Sequence, residues 1–409
     1  MSDRPQTRVR LRSHASDAVQ SPLRMRDLPS LLCRALHLLI GATMQTSIRA
    51  ASRGYRQVET FMIDAKRATY GLAVARIALG LMIIGSTLTN FSTRAYSRGA
   101  GVAWSGEVHA PRSEFLDIFP IGALAALNFE PGSQTVFWIA HLVLATLWTV
   151  GYRARLLTIP LLVSWVAFVE TNANLADQSE NLVRISLIAL FFASSSERWS
   201  VDDWRTRRSR ASHNPLLRLW RGQAVLPAWV STIAHNCAIV VLAAQICMVY
   251  AAGGLFKAAG EPWKGGWAVY NPIQTMRFGP YPELSDLITA WGPLVAAATV
   301  GTVLVQVGFP LLLLRRGTRL FALAVIFAFH AAIGIVMGLP WFSLSMLALD
   351  AILIRDRSWR LITVRCAQVW RRARTGRDRS APDEWHEDEG QPDAPDVSEA
   401  RERMPAGAL

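Results

Sequence analysis

Few residues in this chain have both the type and the position to do chemistry. From Ala228 to Phe256 there is no Asp, Glu, Lys or Arg, and the stretch ends at Lys257. Just before that lysine runs Tyr250-Ala251-Ala252-Gly253-Gly254-Leu255-Phe256, and just after it come Glu261, Trp263 and Gly266. A lysine in a partly desolvated pocket gives up its proton more readily than one in water. It can then serve as a general base. The plainer account of the same residues is a lysine that snorkels to a membrane interface, with Gly253 and Gly254 allowing close helix packing or a bend.

The remaining candidates are scattered. Arg76 stands within Ala75-Arg76-Ile77-Ala78-Leu79-Gly80, in an otherwise apolar segment. Its two readings are a pocket cation and a structural one paired with a carboxylate. Glu170, Asp177 and Glu180 lie close together with Asn172, Asn174 and Asn181, either as a polar loop or as a mouth lined with hydrogen-bonding groups. Arg184 follows them, and a buried lone cation is costly enough that pairing with one of these carboxylates is expected. His141, His235 and His330 each fall in an apolar segment with no ligand partner at i+3 or i+4, so no local metal motif is present and no metal is predicted. His330 is the histidine of interest as a catalytic candidate, since its segment follows the one that carries Gln306. Gln306 and Gln245 both need partners at membrane depth. The four cysteines, Cys33, Cys237, Cys247 and Cys366, show neither CxxC spacing nor a disulfide framework. No G-x-S-x-G, P-loop, Rossmann or H-E-x-x-H pattern occurs.

The elements that must position these residues are helices in a membrane. Of 409 residues, 51% are apolar and only 18% charged, against roughly 25% charged in soluble domains. The uncharged runs 228–256 and 320–349 both exceed the roughly 20 helical residues that cross a hydrocarbon core. Eight spans are predicted, at about 68–90, 135–152, 155–172, 181–196, 228–256, 291–314, 318–338 and 340–355. Gly338-Leu339-Pro340 divides the last long run, and Gly292-Pro293 suits the opening turn of the sixth helix. Arginines crowd alternate connections: Arg153 and Arg155; Arg198 through Arg221; Arg315, Arg316 and Arg319; and Arg355, Arg357, Arg360 and Arg365 after the last span. Counted by the positive-inside rule, this puts both termini in the cytoplasm. The fold expected is an all-α polytopic bundle of about eight transmembrane helices in the cytoplasmic membrane. A basic extension over 1–61, with an amphipathic segment near 31–43, precedes a transmembrane domain over 62–356. A cytoplasmic tail over 357–409 turns acidic and disordered toward its end. The net charge of +13 flanks apolar runs instead of interleaving with aromatics, so no nucleic-acid partner is expected.

At these residues the chain resembles the HTTM (horizontally transferred transmembrane) family, the membrane region of vitamin K-dependent gamma-carboxylases. The marks are Arg76 through Gly80, Gly151-Tyr152-Arg153-Ala154-Arg155-Leu156, and Asn172 through Arg184. They continue with Gly254-Leu255-Phe256-Lys257 ahead of Trp263 and Gly266, and end with Arg319 and Phe329-His330. The length also resembles the bacterial SdpB-type subgroup, which acts in producing a secreted antimicrobial peptide. The resemblance implies that Lys257 is the base that deprotonates a reduced quinone, vitamin K or menaquinone. It further implies a secreted peptide substrate and a small accessory subunit. Where the family often has a carboxylate, this chain has Gln306, and where the carboxylases continue into a large extramembrane domain a disordered tail of about 50 residues is expected here.

Three readings follow. The chain is a membrane maturation factor for a secreted peptide with carboxylase-like chemistry at Lys257; or a non-catalytic binding or immunity partner; or a small-solute transporter. Whether it is an enzyme is left open by the residues themselves.

Overall fold

A computed structural model describes residues 44, 49–104, 113–172, 175, 177–209, 213–214, 217–218 and 225–378. The predicted amphipathic segment 31–43, the acidic end of the tail beyond 378 and Asn174 lie outside the described residues. Nine principal helices follow in order: α1 Thr69–Thr89, α2 Pro131–Thr149, α3 Ala154–Val169, α4 Gln178–Phe192, α5 Ala228–Ala259, α6 Gly292–Leu312, α7 Arg316–Val336, α8 Pro340–Asp350 and α9 Asp356–Asp378. There is no strand among the described residues. Helices α1 to α8 fall on the eight predicted segments. Four of them, α1, α5, α6 and α7, are long and apolar enough to cross a membrane, while α3 and Pro340–Leu353 are shorter apolar helices.

The helix ends have local causes. Proline opens α2 and α8 and occupies the first turn of α6, where its missing N–H removes nothing the helix would use. Asp177 caps α4 by accepting from the Ser179 N–H at 2.6 Å. Capping draws the helix start back to Gln178, ahead of the apolar residues that predicted 181. At the other end, Gly151 adopts φ 75°, a left-handed conformation suited to glycine, and closes α2 at Thr149 instead of 152. Ala68 and Arg153, just ahead of α1 and α3, offer no capping side chain. Distant carboxylates cap those helices instead. Asp356 accepts from the Thr69 and Tyr70 N–H groups at 3.1 and 3.0 Å, and Asp202 from those of Arg153 and Ala154 at 2.9 and 3.0 Å.

Helix α1 is the centre of the bundle, packed against α2 and α8, with Leu72, Ala75, Leu79, Met82 and Ile83 fully enclosed. Small residues permit this: a side chain at Gly80 would strike Thr149 of α2, and one at Gly85 would strike the Trp341 indole of α8. Helix α5 packs on α6 and α4, and α7 packs on α8 and α6. On α5 to α7 the outward side chains are Met248, Leu255, Phe256, Leu304, Leu311, Phe321 and Phe327, all exposed. So large an apolar surface on one molecule marks contact with lipid.

Candidate functional site

Lys257 lies near the end of α5 and its side chain runs back along the helix, as long side chains in helices do. Its ammonium nitrogen sits 3.6 Å from where a Cβ on Gly253 would be. One residue on, Gly254 has no such room. A Cβ there would stand 2.8 Å from the backbone nitrogen of Val307 and 3.0 Å from the Cβ of Gln306. The backbones of α5 and α6 therefore meet at this glycine, and that approach brings Gln306 to the lysine. Lys257 Nζ donates to Gln306 Oε1 at 3.0 Å and stands 5.6 Å from the centroid of the Trp263 ring. An amide partner leaves no ion pair to break when the lysine takes or gives a proton.

Two turns earlier on α5, and so on the same side, Tyr250 joins α7 to α8. Its hydroxyl donates to Asp350 Oδ2 at 2.8 Å and lies 3.2 Å from His330 Nε2. Since the phenol hydrogen goes to the carboxylate, Nε2 must carry the imidazole proton and Nδ1 must be an acceptor. His330 Nδ1 and Asp350 Oδ1 are both buried without a hydrogen-bond partner. Tyr250, His330 and Asp350 are respectively 2%, 2% and 6% exposed. Phe309 packs 4.6 Å from the Tyr250 ring, with Phe329 and Phe342 beside His330. Intramembrane ionisable groups are costly, and a cluster of them is a functional candidate by default.

The other predicted residues are placed elsewhere. Arg76, fully buried, donates to the carbonyls of Thr149, Ser195 and Trp199 at 3.3, 2.7 and 2.6 Å. Those carbonyls lie at the end of α2 and in the turns after α4, so this guanidinium ties three chain segments together. Arg184 pairs with Glu170 at 2.7 Å, and Asn172 donates to the Ser97 carbonyl at 2.9 Å. Asp177 is the α4 cap. Glu180 receives Arg98 at 3.2 Å. Arg98 also donates to the carbonyls of Phe168 and Val169 at 2.9 and 2.8 Å, capping the end of α3. Burial lowers the pKa of Arg98, opposed by the neighbouring Glu180 carboxylate. His141 accepts or donates at Ser164 Oγ, 2.9 Å away, and stacks on Phe168 and Trp165. His235 bridges the Ser194 N–H and the Arg67 carbonyl at 3.0 and 2.8 Å. The three histidines thus do not converge. Among the described residues no group of three or more His, Cys, Asp or Glu is arranged to hold a metal ion.

Tyr250 and Asp350 were not singled out for a role in the sequence. Asp350 carried a usable signal: it is the lone acid that closes the uncharged run 320–349, the counterpart of Lys257 closing its own run. A separate cavity of about 530 Å³, lined by Lys66, Arg155, Phe192, Ser194, Glu197 and Leu226 among others, adjoins the start of α1. Lys66 there is already paired with Glu197 and Ser194.

Apolar helices with lipid-directed surfaces and a handful of internally bonded ionisable groups define an integral membrane protein built entirely of helices. The model of the HTTM domain matches residues 65–359, well over half of the chain, and the protein belongs to the HTTM family. No curated protein and no solved structure matches it.

Proposed function

We propose that this HTTM protein is an eight-pass enzyme of the cytoplasmic membrane that uses Lys257 as a base on a reduced quinone, in the maturation of a secreted peptide. Both termini face the cytoplasm in this reading, as the arginine distribution predicts. The observation that carries it is Lys257 in a partly buried contact with a neutral partner, Gln306, beside the Trp263 ring. A base must be free to accept a proton, and an amide acceptor steadies the amine without committing it to a salt bridge.

The neighbouring groups suit a hydroquinone by their chemistry. Such a molecule is a flat aromatic ring with two hydroxyl donors. The cluster offers aromatic walls in Phe309, Phe329 and Phe342 and two unpartnered buried acceptors, His330 Nδ1 and Asp350 Oδ1. In this assignment Lys257 receives the proton, Gln306 holds the amine in place, and Trp263 covers it from water. Tyr250 fixes the His330 tautomer by donating to Asp350. When bound, the reduced quinone supplies an acidic hydroxyl and a reaction with oxygen that the side chains lack.

The test uses membranes given reduced menaquinone or vitamin K and oxygen, with quinone epoxide followed by mass spectrometry. Wild type is expected to form epoxide, and Lys257→Ala, at matched amounts of folded protein, to form none. Equal epoxide from both would remove Lys257 from the chemistry. None from either would put the binding or transport readings first.

A further inference from the structure

Helix α9 has a face that nothing in the bundle covers. Its first turn is fixed: Asp356 accepts from the first two N–H groups of α1, and Trp359 Nε1 donates to the Ala351 carbonyl at 3.2 Å. Beyond that turn most of the described side chains are exposed, among them Ile362 at 45%, Val369 at 66% and Trp370 at 71%. At 100° per residue, Ile362, Cys366, Val369 and Trp370 form a single stripe that continues the line of Trp359. Arg357, Arg360, Arg365, Arg371, Arg372 and Arg374 occupy the opposite half of the helix together with the exposed Leu361 and Val364, and Arg377 falls in line with the stripe at the helix end. No Asp or Glu stands between Asp356 and Asp378.

We propose that α9 lies along an anionic membrane surface as an interfacial anchor. Ile362, Cys366, Val369 and Trp370 enter the boundary between headgroups and acyl chains, and the helix's arginines engage lipid phosphates. Two observations favour lipid over a protein partner. Because Asp356 ties α9 to the first turn of α1, the helix starts at the level where a long apolar helix ends, which is where a bilayer surface lies. Seven cations with no interspersed acid between Asp356 and Asp378 complement phosphate. Tryptophan is also the side chain most suited to that depth.

The test uses the full chain with Cys366 as its sole cysteine, Cys33, Cys237 and Cys247 being changed to Ser. Cys366 carries an environment-sensitive fluorophore, and the protein is reconstituted into bilayers of phosphatidylcholine alone or mixed with phosphatidylglycerol. The expected result is a blue-shifted, brighter emission in the anionic bilayer, quenched by lipids spin-labelled high on the acyl chain and diminished by salt. A label at Gln368→Cys, on the arginine side, should keep an aqueous spectrum. Arg371→Gln with Arg372→Gln should shift the bound-to-free ratio by about fivefold per cation removed. Val369→Asp with Trp370→Asp should abolish the shift at unchanged protein yield. Aqueous spectra at Cys366 in both bilayers would overturn the proposal. So would a shift that depends on protein-to-lipid ratio, which would assign the face to a second copy. A shift lost on ending the chain at residue 378 and insensitive to lipid charge would instead assign it to the acidic segment 383–402.

Discussion

If Tyr250, His330 and Asp350 act as one unit, removing the tyrosine hydroxyl and the aspartate carboxylate together must cost less than the sum of the two removals. Tyr250→Phe deletes a single oxygen but leaves Asp350 with both carboxylate oxygens buried and undonated. A buried polar atom stripped of its partner costs about 1–3 kcal/mol. Asp350→Leu, of similar size, leaves the Tyr250 hydroxyl without its 2.8 Å acceptor, a loss of about the same order. In the double variant neither half of that bond remains to be left unpaired, and only His330 Nε2 lacks its former neighbour. The expected coupling energy is therefore about 1–3 kcal/mol, with the double variant more stable than additivity allows. Equilibrium unfolding of the detergent-solubilised protein, titrated with a denaturing detergent and followed by near-ultraviolet circular dichroism, yields all four corners of the cycle. Additivity within about 0.5 kcal/mol is the behaviour of independent sites. That outcome would refute the network even though its atoms lie within hydrogen-bonding distance.

Two further outcomes follow from the packing. Gly254→Val inserts side chain where α5 meets the α6 backbone at 2.8 Å. It should destabilise by about 1–3 kcal/mol and lower Lys257-dependent activity more than Gly253→Ala does, checked by thermal unfolding and turnover side by side. Arg76→Leu strands two buried carbonyl acceptors and one part-buried one and should cost about 3 kcal/mol or more. Arg76→Lys should recover only part of this, because one ammonium lacks the guanidinium's planar fork; the fraction that remains monodisperse after heating reads both.

The helices were legible in the sequence because membrane spans are written in length and charge depletion, which need no long-range information. Where boundaries moved, as at Gln178 and Gly151, a cap or a left-handed glycine had more influence than the apolar pattern. Lys257 was legible for the same reason: a charge ending a long uncharged helix stands out. Its partner Gln306 was visible as a polar residue in need of a bond, but the pairing spans 49 positions and depends on Gly254 letting two backbones touch. The Tyr250–His330 and Tyr250–Asp350 contacts span 80 and 100 positions. No periodicity encodes which faces of α5, α7 and α8 meet, so the cluster is a product of tertiary packing. Arg98 was legible only as a cation of the connection after α1, because its role, capping α3 and pairing with Glu180, exists only once that connection folds across α3 and α4.

The central claim is that Lys257 presents its amine to a reduced quinone, and competitive acylation of lysines in the reconstituted protein tests it most directly. Lys264, which is exposed and only seven residues away, serves as the internal reference. Labelling at each site is read by mass spectrometry with and without reduced menaquinone. The account predicts that the quinone slows acylation of Lys257 while leaving Lys264 unchanged, and that Gln306→Ala weakens this protection. Acylation of Lys257 at the same rate with and without the quinone, in protein shown to be folded, would contradict it.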